Sequence, residues 1–481
     1  MHLKKTCCLN GFHFAIILMA ILTSFSCTKS TPDTPASGTL TGFSFLTENN
    51  KTITVSSSAT ISGKDVKIFL PPGTNPDSLV ATFNLTDSAN VTVNGVDQQT
   101  GVTANDFSSP LSYVLLFANG SIQTYTVTLI TDIAAIDQNV TQFMTTYHVP
   151  ALAIAITKDE KLVYAKSYGY ADMENNQLAQ NNNLFRLASL SKQITSVAIM
   201  RLMDQGKLNI EDRVFGDGGI LGTTYGTQPY GSGIEDITIN HLLHHTCGGW
   251  SNDDTTYPDP MFLDPTMTRE QVIDWTLDNI PLENAPGDNY DYSNFGYCLL
   301  GRVIEKVTGL SYEDAAKKLV LEPCGITDMR IGGNTLAQRL TNEVKYYGQN
   351  FEDPYAYNIT RMDSHGGWIA SATDLAKFMV HVDGTGDDIL SADAMYAMMT
   401  PSTANPGYAC GWIINPYSWW HNGSLPGTQT EQVITTKDGY FNFAILTNTP
   451  SSDDNFGDDM DNIFWNAVPN IHDWPQYNLF Q

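Results

Sequence analysis

Short runs in which hydrophobic and polar residues alternate fill the chain from residue 39 to about residue 132. Clear examples are residues 66–70, 91–93 and 124–129; Pro-Pro-Gly follows the first run and Asn-Gly follows the second. Alternation with a period of two, broken by such turn residues, is typical of half-buried strands. This segment is therefore predicted to form a small all-β sandwich.

The pattern changes after residue 132, where helical and strand periods mix. Residues 133–148 have the spacing of an amphipathic helix, and residues 151–157 are predicted to pair with residues 162–168. Residues 432–435 and 441–446 flank an Asp-Gly turn, which is a hairpin signal. Strands at both ends with helices between them predict an α+β domain, in which helices flank an antiparallel sheet and a helical subdomain is added. The chain is thus predicted to be multidomain.

Composition limits the classes of function. The 481 residues are too many for one ordinary domain. The formal net charge is −26 at pH 7 and no basic stripe is present, which argues against a nucleic-acid partner.

The first residues have the layout of an export signal. Lys4 and Lys5 precede the apolar run 14–22, and small residues lead to Cys27. Ser24-Phe25-Ser26-Cys27 resembles a bacterial lipobox, although the usual leucine at its first position is replaced by Ser24. We expect lipidation of Cys27 and a cell-envelope location, facing the periplasm or the cell surface. Ordinary signal-peptidase cleavage, which leaves a free cysteine, is the alternative.

The predicted organisation has four segments. Residues 1–26 are the signal peptide, 27–38 a polar tether, 39–132 the sandwich and 133–481 the α+β domain.

Ser189 and Lys192 are the first candidates for chemistry. They lie three positions apart at the predicted start of a helix that ends near Gly206, so both side chains point from one helical face. A serine hydroxyl needs a base within hydrogen-bond reach to become a nucleophile, and the N–H groups of a helix start favour an oxyanion. Two residues alone are weak evidence, because a capping serine near a surface lysine gives the same pattern.

Two downstream motifs extend this set. Tyr292 can shuttle a proton if nearby cations lower its pKa, and Asn294 can bind Lys192 and a substrate carbonyl. His421 lies on a predicted strand edge, where Gly423 would let a substrate backbone approach and the N–H of Ser424 would complete an oxyanion hole. Considered alone, Tyr292 could be a core tyrosine and His421 a surface histidine, without a role in catalysis.

The order of these motifs is more specific than any one of them. Ser-x-x-Lys, then Tyr-x-Asn, then His-x-Gly resembles the serine β-lactamase and penicillin-binding-protein superfamily, and within it the class C β-lactamase-related serine hydrolases. Three further segments agree with this family: GKLNIED at 206–212, ITINHLLHHT at 237–246 and GGWIASATDL at 366–375. The resemblance covers residues 140–450. The sandwich resembles immunoglobulin-like modules that precede catalytic domains in Bacteroidetes-type bacteria.

The resemblance implies a mechanism for this chain. Ser189 would attack an acyl carbonyl, Lys192 and Tyr292 would move its proton, and the N–H groups of Ser189 and Ser424 would hold the oxyanion. Asn294, His421, Gly423 and Ser424 would bind substrate. Water would release the acyl-enzyme, and neither a metal nor a cofactor is expected.

Two departures from the family pattern bear on the substrate. Many relatives have Lys-Thr-Gly where this chain has His421-Asn422-Gly423, and a neutral histidine is a weaker partner for a substrate carboxylate than lysine. Cys247 stands where relatives usually have serine, a change we expect to affect packing only.

Rival sites are weaker. His241, His244 and His245 with Cys247 suggest a metal site, but position 242 is leucine instead of the glutamate of H-E-x-x-H. No G-x-S-x-G elbow, P-loop or dinucleotide fingerprint is present. Cys247, Cys298, Cys324 and Cys410 are expected to be buried thiols, with one disulfide as the alternative.

The sequence therefore predicts an exported serine hydrolase that cleaves a small ester, amide or D-amino-acid peptide. Its partners would be that small-molecule or peptide substrate, the membrane through Cys27, and a glycan or protein bound by the sandwich. One alternative is a β-lactamase or D,D-peptidase acting on β-lactams or peptidoglycan peptides. An alternative of another class is a weakly catalytic surface binding protein.

Overall fold

A computed structural model describes residues 38–349, 352–435 and 440–480. The predicted signal peptide, Cys27 and nearly all of the tether lie outside the described residues, so these assignments stay predictions. No helix in the described ranges is long and apolar enough to cross a membrane.

The first part of the chain is an all-β sandwich, as predicted. Its strands are β1 (Leu40–Phe45), β2 (Ser57–Ser58), β3 (Thr60–Ser62), β4 (Asp65–Phe69), β5 (Leu79–Leu85), β6 (Ala89–Val93), β7 (Val96–Asp97), β8 (Ala104–Asn105), β9 (Leu111–Phe117) and β10 (Ile122–Ile130). One sheet has the order β2-β1-β5-β8 and the other β3-β4-β10-β9-β6-β7. Alternate residues of both sheets meet in one core, where Phe43, Phe45 and Tyr113 are buried. The alternating sequence pattern thus becomes the two faces of each strand.

The second part is the predicted α+β domain. Its strands are β11 (Ala151–Lys158), β12 (Lys161–Asp172), β13 (Gln177–Leu178), β14 (Phe185–Arg186), β15 (Arg330–Ile331), β16 (Trp368–Ala370), β17 (Ile413–Ile414), β18 (Ser418–Leu425), β19 (Thr428–Thr435) and β20 (Phe441–Thr447). Its helices are α1 (Ala134–Tyr147), α2 (Ser191–Asp204), α3 (Ile239–Leu243), α4 (Arg269–Asn279), α5 (Asn294–Thr308), α6 (Tyr312–Ala316), α7 (Ala372–Met379), α8 (Ala392–Met399) and α9 (Phe456–Trp465). The main sheet is antiparallel, with the order β13-β12-β11-β20-β19-β18-β17.

The two faces of this sheet carry different side chains. Ile154 and Ile156 of β11 pack in the core that includes α1 and α9. Ala153 and Ala155 point the other way, into the large core that includes α2 and α7. The small alanine side chains let helices of the central part of the chain lie close to the sheet. The catalytic candidates lie on this second side.

The end of β18 forms an open edge. β17 pairs only with Trp419 and Trp420 of β18. From His421 to Leu425, no strand in the described part of the chain pairs with that side of β18. The predicted strand edge at His421 is therefore present, and an extended ligand can lie along it.

The C-terminal tail touches the sandwich. Tyr477 and Leu479 pack with Val55 and Phe69 in a small apolar cluster. Lys67 and Asp473 form an ion pair of 2.6 Å nearby. The four described cysteines, Cys247, Cys298, Cys324 and Cys410, are all free thiols and all buried, so the expected thiols are found.

Candidate active site

Ser189 lies just before the first residue of a helix, close to the helix start that the sequence spacing predicts. It is in the 3₁₀ turn Ala188–Leu190, which runs directly into α2. Ala188 has φ +48°, a left-handed conformation that costs energy for a residue other than glycine. Ala188 is held there by buried contacts in a cluster with Ile359, Met362 and Leu425. The strained residue sets the position of the next one, which is the proposed nucleophile.

A cavity of about 450 Å³ opens above this turn. Ser189, Tyr292, Asn294, His421 and Ser424 all border it, although they come from three separate parts of the chain. Lys192 has no exposed surface and lies beneath. The fold therefore brings the sequence-predicted residues together at one place.

Lys192 contacts three oxygen atoms. Its Nζ lies 2.7 Å from Asn294 Oδ1, 3.1 Å from the His365 carbonyl oxygen and 3.1 Å from Ser189 Oγ. The first two atoms are acceptors only. A neutral amine would donate its two hydrogens to these two oxygen atoms, and its lone pair would then face the Ser189 hydroxyl. This is the arrangement that a general base requires.

Burial makes the neutral amine accessible near pH 7. Removal from water lowers the pKa of Lys192 from 10.5 to about 7, and the Asp259 carboxylate opposes this change through its charge. Lys192 can therefore gain and lose a proton at the pH of the reaction, which an exposed lysine cannot do.

Activity is expected to fall on the acid side of this pKa. Since protonated Lys192 cannot accept the Ser189 proton, kcat/KM for an ester should drop about tenfold per pH unit below pH 7. His421, whose pKa burial lowers to about 4, stays neutral across this range. The measurement is the profile of kcat/KM from pH 5 to pH 9. A profile that is flat between pH 5 and pH 8 would exclude Lys192 as the base.

The pKa of Tyr292 does not meet the condition under which the sequence predicts a proton shuttle. That condition is a pKa lowered by nearby cations, whereas burial raises the pKa of Tyr292 well above its ordinary value, although a hydrogen bond with Ser189 acts in the other direction. Lys192 Nζ is 4.7 Å from the centre of the ring. Because Lys192 is itself only partly charged near pH 7, it offers little stabilisation to a tyrosinate. Tyr292 is therefore a protonated donor beside Ser189.

Asp259 is a site residue that sequence reasoning missed. Its Oδ2 accepts from Asn294 Nδ2 at 2.7 Å, and because a carboxylate cannot donate, this contact fixes which end of the Asn294 amide faces Lys192. Asp259 Oδ1 also accepts the N–H of Met261. Asn294 thus lies between Asp259 and Lys192, as a support for the base. Asp259 lies in the loop 250–267, where the sequence has no readable signature.

A chain of hydrogen bonds supports His421 from behind. The Ser293 N–H donates to His245 Nδ1 at 3.0 Å, so the hydrogen of His245 is on Nε2 and donates to the Tyr408 hydroxyl at 3.1 Å. Tyr408 in turn donates to His421 Nε2 at 3.2 Å, which leaves His421 Nδ1 to donate to the Asn422 carbonyl. Burial lowers the pKa of both histidines. The chain therefore fixes His421 as a neutral imidazole.

Packing within the protein gives a further reason for glycine at position 423. Its place in the motif predicts that Gly423 lets a substrate backbone approach. A Cβ atom at this position would lie 2.3 Å from the Leu187 carbonyl oxygen and 2.9 Å from the Ser189 nitrogen. The absence of a side chain thus lets β18 pack against the segment that carries Ser189. This contact brings the exposed Ser424 to the rim of the same cavity.

The rival histidine cluster has other contacts. His244 bonds the carbonyl oxygens of Asn240 and Thr400, and His241 Nδ1 accepts the N–H of Thr238 in a helix cap. His245 belongs to the chain that supports His421. Within the described residues, no group of three or more histidine, cysteine or carboxylate side chains is arranged to hold a metal ion.

Comparison with known proteins identifies the family of each part of the chain. The family model described as Beta-lactamase matches residues 136–464, and the model described as SGBP, N-terminal, matches residues 40–129. Penicillin-binding protein 4* of Bacillus subtilis (strain 168) is 27% identical over 302 residues, which cover 56% of this chain and 62% of that protein. The chain thus spans about three fifths of the length of that relative.

Solved structures show the same fold. The octameric penicillin-binding protein homologue from Pyrococcus abyssi is 28% identical, covers 66% of this chain and 74% of its own, and has a TM-score of 0.56. The D-amino acid amidase from Ochrobactrum anthropi SV3, solved with L-phenylalanine amide, has a TM-score of 0.58 at 20% identity, covering 70% of this chain and 98% of its own. At that identity the second likeness concerns the fold alone.

Proposed function

The chain belongs to the Beta-lactamase family and is a serine hydrolase of that family, and on this basis we propose that it cleaves small esters, amides or D-amino-acid peptides through an acyl-enzyme on Ser189. The observation that carries the proposal is the environment of Lys192. Its buried amine has acceptors for two hydrogens and faces the Ser189 hydroxyl with the remaining lone pair.

The proposed reaction has two halves. Lys192 takes the proton of Ser189 as Oγ attacks the acyl carbon, and the backbone N–H groups of Ser189 and Ser424 stabilise the oxyanion. The carbon–oxygen or carbon–nitrogen bond to the leaving group then breaks, and the leaving group takes the proton from Lys192 through the Tyr292 hydroxyl. In the second half, water attacks the acyl-enzyme, and Lys192 and Tyr292 again move the proton. The ester bond to Ser189 breaks, Oγ regains its proton, and the carboxylic acid product leaves.

The cavity favours substrates that lack a carboxylate near the scissile bond. His421 is neutral, and none of the described residues that line the cavity is lysine or arginine. Asp253 adds a negative group to the wall. β-Lactams and D,D-peptides carry a carboxylate that cationic side chains usually bind. Esters, amides and amino-acid derivatives with a free amine fit this electrostatic environment better.

A comparison of substrates tests this class. We expect turnover of a short-chain nitrophenyl ester and of D-phenylalanine amide, with kcat/KM for a chromogenic cephalosporin at least a hundredfold lower than for the ester. Efficient cephalosporin hydrolysis would move the assignment to the β-lactamase alternative. Absence of turnover with all three, in protein that is folded by circular dichroism, would favour the weakly catalytic binding protein.

The same proposal includes export, a lipid anchor at Cys27 and a recognition role for the sandwich. The match of residues 40–129 to a surface-protein module of glycan-binding type supports a glycan as its partner. Removing residues 27–132 is the corresponding experiment: turnover of the small ester would remain, while attachment to cells or to glycan would be lost. If the truncated protein loses both its turnover and its folded structure, the sandwich has a structural role instead.

A further inference from the structure

A second cavity lies on the opposite side of β18 and β19 from Ser189. It has a volume of about 430 Å³, and one face of α9 closes one side of it. We call it the edge pocket. Its aromatic and acidic walls are Tyr417, Trp420, Trp465, Glu431, Asp458 and Asp461.

Glu431 is the unusual residue of the edge pocket. Only 5% of it is exposed, and its Oε2 has no hydrogen-bond partner within the described residues. Burying a carboxyl group without a hydrogen-bond partner costs free energy. A ligand that bonds Glu431 would remove this cost. Glu431 lies opposite Asn422 in the β18–β19 register, and Asn422 borders both the edge pocket and the Ser189 cavity.

The charge around Glu431 has one sign. Asp458 and Asp461 face it from α9, and no lysine or arginine in the described ranges pairs with any of the three carboxyl groups. Asp461 accepts from Trp465 Nε1 at 2.8 Å, which holds this indole beside the acids. Acidic groups next to indole rings attract a cation through both charge and the ring faces.

An organic cation fits this pocket better than a metal ion. Metal ions need several ligands that converge on one point, and no such group of three occurs in the described part of the chain. The aromatic walls and the volume suit a cation with an apolar body. We propose that the edge pocket binds the ammonium group of an organic amine, with Glu431 as its buried counter-ion.

The carboxyl groups give the binding a pH dependence. Burial and the charges of Asp461 and Asp458 raise the pKa of Glu431 well above its ordinary value, and burial raises the pKa of Asp461 to about 6. An ammonium ion binds the ionised forms preferentially. Affinity is therefore expected to increase from pH 5 to pH 8, and binding at neutral pH is expected to release protons.

Calorimetric titration with n-butylammonium chloride tests the proposal on the full chain. We expect saturable binding of one equivalent, a proton release detected in buffers of different ionisation enthalpy, and no binding of the uncharged n-butanol. Glu431→Gln, which keeps the shape and removes the charge, should weaken binding at least tenfold. Asp393→Asn, which removes one charge at an exposed position of α8, is the matched control and should bind as the wild type does.

Several results would overturn the proposal. These are the absence of saturable binding, equal affinity of Glu431→Gln and wild type, or loss of binding in Asp253→Asn but not in Glu431→Gln, which would locate the amine in the Ser189 cavity. Displacement of the amine by calcium at equal concentration would point to a metal site instead. If Glu431→Gln does not fold, Asp461→Asn at the rim takes its place, with the same tenfold loss expected.

Discussion

Ser189→Ala is expected to lower kcat for the nitrophenyl ester by about a thousandfold or more, because among the described residues only the Ser189 hydroxyl lies within hydrogen-bond distance of Lys192 Nζ. KM should change little, since the hydroxyl is a small part of a cavity of about 450 Å³. Substrate binding and the oxyanion N–H groups remain, so a small residual rate above the uncatalysed reaction is expected.

A neighbouring serine provides the control for this variant. Ser191 lies two positions further along the chain, as the first residue of α2, but its Oγ accepts the N–H of Trp368 and is buried. Ser191→Ala should keep turnover within a few-fold of wild type. If both variants lose activity equally, disruption of the turn and not loss of the nucleophile would explain the result.

Lys192→Met is expected to lower kcat by as much as Ser189→Ala does. The same variant is expected to remove a cost to native-state stability that the wild type has at low pH. Methionine fills the buried space but cannot accept the Ser189 proton, so turnover should again fall about a thousandfold or more. The fall in the pKa of Lys192 from 10.5 to about 7 corresponds to a cost of native-state stability on the order of 5 kcal/mol, fully present below pH 7. The methionine variant does not have this cost.

The pH dependence of stability distinguishes this effect from ordinary packing changes. Between pH 7 and pH 10.5 the unfolded chain binds the Lys192 proton and the native chain does not, so wild-type stability rises with pH through this group. Loss of the bonds to Asn294 and His365 is a cost of the variant that does not depend on pH in this way. The variant should therefore gain most relative to wild type at pH 6, and this relative gain should shrink by pH 10. A difference in unfolding free energy that is constant from pH 6 to pH 10 would refute the account of Lys192.

Sequence alone predicted the elements whose signals are local. The period of the hydrophobic residues predicted α1 and the pair β11–β12, and turn residues predicted the hairpin of β19 and β20. The candidates Ser189, Lys192, Tyr292, Asn294 and His421 were each ambiguous alone. Their order along the chain made them recognisable, since a family motif records a distant contact that periodicity cannot.

The remainder of the site depends on contacts that no local pattern encodes. Asp259 meets Asn294 from the cap of the short 3₁₀ helix Pro260–Phe262, and Tyr408 meets His245 and His421 only because three segments converge. The pKa of Tyr292 could not be judged from its neighbours in sequence, because the loss of hydration around its hydroxyl in the folded site outweighs the nearby amine. The close packing at Gly423 likewise depends on where β18 lies relative to Leu187.

The central claim is that Ser189 forms the covalent intermediate. The most direct measurement is reaction of the full chain with a fluorophosphonate, followed by mass spectrometry of the intact protein and of its peptides. We predict one equivalent of adduct, located on Ser189, with loss of ester turnover in proportion to modification and no adduct in Ser189→Ala. An adduct on another residue, or full turnover after stoichiometric modification of Ser189, would contradict the account.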